Sequence, residues 1–218
     1  MKEVLLILLL ILFLVPLPWC GHGVSFSGIN FLYNLLVKGI RSFKIIPMNI
    51  KTSEDNLLTF DTIVKSVGID YWLSEGTALG VIRDNGIIPW DDDVDTSFMY
   101  EYRDVFVREA LPLLKQQGFS VAFVYNNGNL MTLMRNDEKI DVDIVKKDGL
   151  CAASMTPHAQ YSRKCNDILP YLNNMKSVTF LGRQFKVPDE RYLEYLYGDW
   201  KTPRTENKIV LGVKLLTS

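Results

Sequence analysis

The longest hydrophobic pattern comes first: after Met1-Lys2-Glu3, residues 4–15 are an unbroken apolar run that stops before Pro16 and Pro18. A run of about a dozen is nearer a signal-peptide core than the roughly twenty residues an α-helix needs to span a bilayer. Gly21 and Gly23 permit cleavage there, whereas Leu17, Trp19 and the apolar residues beyond extend the run into an uncleaved type II anchor. Residues 1–23 therefore read as a signal peptide or signal anchor. Residues 24–51 mix Gly, Ser, aliphatic and basic side chains, including Lys38, Arg41 and Lys44, and read as a stem or membrane-proximal segment.

From Thr52 the pattern changes to amphipathic periods, and residues 52–205 read as one domain, with a tail over 206–218. Thr52-Ser53-Glu54-Asp55 has the capping and acidic residues of a helix start, followed by Leu57, Leu58, Ile63, Val64 and Val67 before Gly68. Residues 69–73 predict a strand, 74–77 a turn into a helix through Leu79 and Ile82, and Asn85-Gly86 a tight turn. Residues 101–117 predict a helix with Val105, Leu111, Leu113 and Leu114 turned inward, kinked or broken at Pro112. Residues 119–125 and 130–135 predict two strands joined through Asn126-Asn127-Gly128-Asn129, and residues 139–145 a third strand. Residues 150–174 are polar and carry Pro157 and Pro170, the pattern of a variable region. Residues 178–187 predict a hairpin turning at Gly182. Pro188-Asp189 then opens a helix whose Tyr192, Leu193, Leu196 and Tyr197 are expected in the core, ended by Gly198.

Composition narrows the class. The 218 residues are 48% apolar with a formal net charge of −1, which argues against disorder and against a general nucleic-acid binder. With Cys20 in the leader, Cys151 and Cys165 are the cysteines left to the domain. An oxidising compartment allows them to pair, and free buried thiols fit equally well. Zinc held by Cys151, His158 and Cys165 lacks a fourth ligand and the usual paired spacing.

The chemistry concentrates in Trp90-Asp91-Asp92-Asp93-Val94-Asp95, behind the turn Ser74-Glu75-Gly76-Thr77. A chain leaving Trp90 in extended form puts Asp91, Asp93 and Asp95 on one face and Asp92 on the other. Carboxylates so close repel one another unless a cation neutralises them. Mg2+ or Mn2+ suits a short Asp-x-Asp, because such an ion bridges one or two carboxylates to substrate phosphates. Turn amides at Gly76 and Thr77 can face phosphate oxygens, and Arg83 can pair with a donor phosphate or with one of the acids. A solvated acidic loop is the commoner origin of a charge run. A helix-loop-helix calcium site shares the opening Asp-x-Asp-x-Asp but needs Gly where Thr96 stands and Glu where Tyr102 stands. Asp141 and Asp143 alternate in the third strand among β-branched residues, where an unpaired buried acid is costly.

Gly76-Thr77-x-Leu79-Gly80-x-x-Arg83, continuing into Gly86-x-Ile88-Pro89-Trp90-Asp91-Asp92-Asp93-x-Asp95, resembles the signature of the LicD/fukutin-related family. Val178-Thr179-Phe180-Leu181-Gly182, Phe185-x-Val187-Pro188 and residues 192–200, Tyr-Leu-Glu-Tyr-Leu-Tyr-Gly-Asp-Trp, resemble its closing element. The resemblance implies an α+β (mixed α/β) fold, a nucleotidyltransferase-like mixed β-sheet flanked by helices in a single domain. It implies transfer of a phosphorylated alcohol, such as phosphocholine, glycerol phosphate or ribitol phosphate, from a CDP-linked donor to a glycan or glycoprotein acceptor. A secretory-pathway setting in the Golgi or ER lumen goes with it. Sites of this kind take a third acid from a neighbouring strand, and Asp143-Ile144-Val145-x-x-Asp148-Gly149 best matches the family's Asp-Ile-Phe-Pro-Leu-Asp-Gly, with Val145 and Lys146 in place of Phe-Pro. On that match Asp93, Asp95 and Asp143 are the expected catalytic and metal-holding residues, with Asp91 and Asp141 as further metal candidates. A metal-dependent glycosyltransferase and a non-catalytic lumenal scaffold of the same fold are the rival readings.

Overall fold

The computed structural model describes residues 48–125, 128–148, 151–154 and 169–203, with backbone alone at Tyr125, Asp148 and residues 151–154. The leader, the stem through residue 47, Cys20, His158, Cys165, most of the expected variable region and the tail lie outside the described residues. The side chain of Cys151 does too, and so does the question of a disulfide. Among the described residues no helix is long and apolar enough to cross a membrane.

The first helix, α1 (Ile50–Ser66), starts before the expected Thr52 because Asn49 caps it: its side-chain oxygen accepts the Thr52 N–H at 3.1 Å. Its inward stripe combines Leu57, Phe60, Ile63 and Val64 with buried Ser53, Asn56 and Asp61. Strand β1 (Tyr71–Leu73) leads into α2 (Glu75–Asp84), which ends where Asn85 turns left-handed at φ 51° and its N–H reaches the Gly80 carbonyl. After β2 (Val94–Met99) comes one helical run over residues 100–116, α3. Pro112 has no N–H for the Arg108 carbonyl and its ring crowds that turn, and the run widens into a π-type turn over Phe106–Ala110. Its core stripe is Phe106, Ala110 and Leu114. Of the expected inward residues, Leu114 is buried and Val105 and Leu111 are half-buried against the core, while Leu113 is exposed.

Strands β3 (Ser120–Tyr125), β4 (Leu130–Arg135) and β5 (Glu138–Asp148) follow as antiparallel neighbours, so the expected hairpin forms. Asn136 and Asp137, both at positive φ, make the two-residue turn between β4 and β5. β6 (Cys151–Ser154) pairs with the far end of β5, and the main sheet runs β1-β2-β5-β4-β3. It is mixed, because β2 and β5 are parallel while the other pairs are antiparallel.

After the short helix α4 (Leu169–Leu172), β7 (Lys176–Phe180) and β8 (Arg183–Val187) form the second expected hairpin. It turns through Leu181 at φ 50° and Gly182 at φ 73°. α5 (Glu190–Tyr197) begins at Asp189, whose carboxylate accepts the Arg191 N–H at 2.9 Å. Its aromatic residues divide, with Tyr192 buried in the core as expected while Tyr195 and Tyr197 are exposed.

The parallel pair assigns the two sheet faces. Val94, Phe98, Ile140, Val142 and Ile144 are buried, and Phe98 packs at 5.1 Å between ring centroids on Phe106, which meets Phe60 of α1 at 6.4 Å. Helices α1 and α3 therefore cover the even-numbered face of β2 and β5. The alternation of a strand leaves Asp95, Ser97, Lys139, Asp141 and Asp143 on the opposite face.

Candidate active site

One carboxylate oxygen from each of Asp91, Asp93 and Asp95 lies within 4.8 Å of the other two. The expected strand from Trp90 is shorter than its pattern suggests, since β2 begins only at Val94 and Asp91–Asp93 form the loop leading into it. Asp91 N–H donates to the Ile88 carbonyl at 3.0 Å, and its Oδ1 accepts the Asp92 N–H at 3.0 Å. That turn, rather than strand alternation, brings Asp91 beside Asp93 and Asp95.

The turn 74–77 fastens Asp95 at both backbone groups and at its side chain. Ser74 N–H donates to the Asp95 carbonyl at 3.1 Å, Thr77 Oγ1 accepts the Asp95 N–H at 2.7 Å, and Gly76 N–H donates to Asp95 Oδ2 at 3.1 Å. The polar groups of Gly76 and Thr77, expected to face phosphate, are here engaged with Asp95. A Cβ at Gly76 would run into Asp91 Oδ2 and come within 3.4 Å of Asp95 Oδ2, so a side chain there would displace the Asp91 carboxylate. One turn on, a Cβ at Gly80 would meet the Gly86 carbonyl oxygen at 2.5 Å. The glycines of the motif let α2 lie against the acidic loop and the segment before it.

In the parallel register, Asp95 stands directly across from Asp141, and Ser97 across from Asp143. Extending the register by one residue puts Asp93 across from Lys139. This face thus carries an ion pair, then two neighbouring carboxylates, then Ser97 beside Asp143. Ser97 hydroxyl donates to Ser74 Oγ at 2.8 Å beside Asp143. Asp143, the expected third acid, lies one row along from Asp95, while Asp141 flanks it.

Lys139 was not anticipated, although it continues the alternation of Asp141 and Asp143 and that period could have revealed it. Its ammonium donates to Asp92 Oδ2 at 2.8 Å and lies 3.6 Å from Asp93 Oδ2. Burial pulls this ammonium down, but Asp93, Asp92 and Asp141 together outweigh it and raise its pKa. Glu75 was missed as well. It takes φ 41°, and its carboxylate accepts the Tyr192 hydroxyl at 3.1 Å. Burial first, then Asp93, Asp141 and Glu75, push the Asp95 carboxyl well above the ordinary carboxylate range.

Arg83 is placed elsewhere. It lies at the far end of α2, about 10 Å along the helix from Gly76 at 1.5 Å per residue. Its guanidinium donates to Asp84 Oδ2 at 2.7 and 2.9 Å and to the Trp200 carbonyl at 3.4 Å.

The donor set fits a hard divalent ion. The ligand atoms are all carboxylate oxygens, crowded enough to raise the Asp95 pKa, and Asp141 Oδ1 is buried with no hydrogen-bond partner. A cation here would remove the repulsion between Asp95 and Asp141 and satisfy that oxygen.

The family model for the LicD/FKTN/FKRP nucleotidyltransferase domain matches residues 68–190, more than half of the chain. The mouse (Mus musculus) ribitol-5-phosphate transferase FKTN is 30% identical over 148 residues, covering 64% of this chain and 31% of that protein. The lipopolysaccharide cholinephosphotransferase LicD of Haemophilus influenzae is 43% identical over 49 residues, 22% of this chain and 17% of that protein. The chain spans between 24% and 35% of the length of the first curated relatives it matches. Among solved structures, the lincosamide antibiotic adenylyltransferase LnuA is similar with a TM-score of 0.47 at 12% identity, covering 70% of this chain and 90% of that one.

Proposed function

The chain belongs to the LicD/FKTN/FKRP nucleotidyltransferase family, and from that premise we propose that it transfers a phosphorylated alcohol from a CDP-linked donor to a glycan hydroxyl. The alcohol is of the ribitol phosphate, glycerol phosphate or phosphocholine type. The observation that carries the reading is the convergence of Asp91, Asp93 and Asp95 within 4.8 Å, with Asp141 laterally beside Asp95. The names of the FKTN and LicD relatives, both phosphoalcohol transferases, support the same chemistry.

Asp91, Asp93, Asp95 and Asp141 would hold Mg2+ or Mn2+ against the donor pyrophosphate. A bound ion supplies neutralisation of the charge on the reacting and leaving oxygens. Asp143, further along the same face, orients the acceptor hydroxyl and takes its proton. The hydroxyl oxygen then forms a bond to the phosphorus that bears the alcohol, and the P–O bond to the cytidylyl phosphate breaks with its electron pair leaving on CMP. Gly76 and Thr77 serve the donor by holding Asp95 and by opening α2, whose N-terminal end favours phosphate. The apolar leader supports a place in the secretory pathway, in the Golgi or ER lumen, as a type II membrane-anchored protein or one released after cleavage.

The test is CMP release by the purified protein with Mg2+ or Mn2+, CDP-ribitol, CDP-glycerol or CDP-choline, and mixed cell-surface glycans. Release from one donor, with phosphate retained in the glycan and loss of activity in Asp93→Ala and Asp95→Ala, is the expected result. Glycan modification without phosphate would instead identify a glycosyltransferase, and inertness toward every donor with intact ion binding would identify a scaffold.

A further inference from the structure

Lys139 lies on the face that carries the acids, and it reaches across the sheet to the loop before β2. Its side chain is 9% exposed, and its ammonium holds Asp92 at 2.8 Å and Asp93 at 3.6 Å. Asp92 is not a member of the converging acid set. The strand pattern predicts that it points away, yet it is bent back onto Lys139. Residues 91–93 precede β2, which begins at Val94. The contacts that shape the loop include the turn bond from Asp91 to Ile88, the Asp92 N–H on Asp91 Oδ1, and the bridge to Lys139.

We infer that Lys139 is a positioning residue that works through Asp92, tying the Asp91–Asp93 loop to β5 so that Asp91 and Asp93 are already in place for a divalent ion. The inference rests on the reading of this cluster as a metal site. Two physical effects of Lys139 oppose each other, and their signs separate the inference from its rival. As a bare charge beside the ligands, an ammonium repels the incoming ion, so removing it should tighten binding. As an anchor it prearranges a loop that otherwise has to be ordered at the moment of binding, so removing it should weaken binding. The bridge to Asp92 decides for the anchor: at 2.8 Å the two opposite charges largely cancel when viewed from the ion, which leaves the geometric effect.

The experiment is Mn2+ binding by the full chain, read by electron paramagnetic resonance or calorimetry, for wild type, Lys139→Met, Asp92→Ala, the double variant and Lys139→Arg. Lys139→Met and Asp92→Ala are each expected to weaken Mn2+ by about 10- to 100-fold, the usual range for losing a partner that orients a metal ligand. The double variant should be no weaker than either single one, because both remove the same bridge. Lys139→Arg keeps the bridge and should recover most of the affinity, and it also serves if Lys139→Met does not fold, as judged by near-UV circular dichroism. Equal or tighter binding by Lys139→Met, with Asp92→Ala weaker and the double variant between them, is the pattern of pure charge and overturns the positioning role. Absence of Mn2+ binding in wild type overturns the metal reading itself, and this inference with it.

Discussion

Asp141 of β5 lies directly across the parallel register from Asp95 of β2, two acids side by side on one sheet face. Like charges at such positions destabilise a sheet, and the arrangement makes sense as a place prepared for a cation. Asp141→Asn is therefore expected to weaken Mn2+ binding by at least about tenfold, whereas Asp143→Asn should keep the ion and lose turnover instead. Parallel ion titrations and CMP-release rates check this, and the reverse pattern would exchange the roles of the two residues.

The raised carboxyl of Asp95 makes a prediction with a definite sign. The folded chain keeps this proton at pH values where the unfolded chain has released it, so ionisation costs stability as pH rises above about 3.9, the ordinary aspartate value. With a chelator present, Asp95→Asn should melt higher than wild type near neutral pH, and the advantage should shrink in mild acid. Adding Mn2+ near neutral pH should reverse the order, because only wild type retains the full ligand set. Thermal melts with and without the ion are sufficient.

Two glycines of α2 should fail in different ways. At Gly80 the obstruction is the backbone oxygen of Gly86, which has nowhere to go, so Gly80→Ala is expected to destabilise by about 1–3 kcal/mol. At Gly76 the obstruction is the carboxylate of Asp91, which can swing aside, and alanine returns helix propensity of about 1 kcal/mol. Gly76→Ala should hold its melting temperature and lose ion affinity. Comparable melting of the two variants would sink the distinction.

Asp61, buried in α1, ties the second hairpin to the main sheet. It accepts the Tyr71 hydroxyl at 2.9 Å and the Arg183 guanidinium at 2.9 Å, with Lys65 one helical turn away at 2.5 Å. Burial and the Asp61 charge together raise the Tyr71 phenol well above its ordinary pKa. Asp61→Ala would leave that hydroxyl buried without its acceptor, at about 1–3 kcal/mol. Arg183 and Lys65 are partly exposed and stay solvated, so their share is small. A fall in melting temperature with unchanged ion binding is the expected result, since the network lies on the α1 side of the fold.

Local information was enough for much of this. The strands and hairpins were legible from alternation and turn residues, because the period of a strand and the positive φ of a tight turn are decided by a few neighbouring residues. The helical run before β3 was misread at Leu113 because a π-type turn ahead of Pro112 shifts the inward stripe, and that shift depends on what Phe106 packs against. Asp93 and Asp95 stood out as a pair for the same reason the strands did.

The amino-acid sequence by itself determined the family, the strand order of chemistry along the chain and the residues of the acidic run, since these rest on residue type and short-range spacing. The tertiary structure alone decided which acid of β5 flanks Asp95, that Gly76 and Thr77 hold that acid, and that Lys139 bridges to the acidic loop. Each of these depends on the register between strands far apart in the chain, and register is settled by how Val94, Phe98, Ile140 and Ile144 pack beneath α1 and α3.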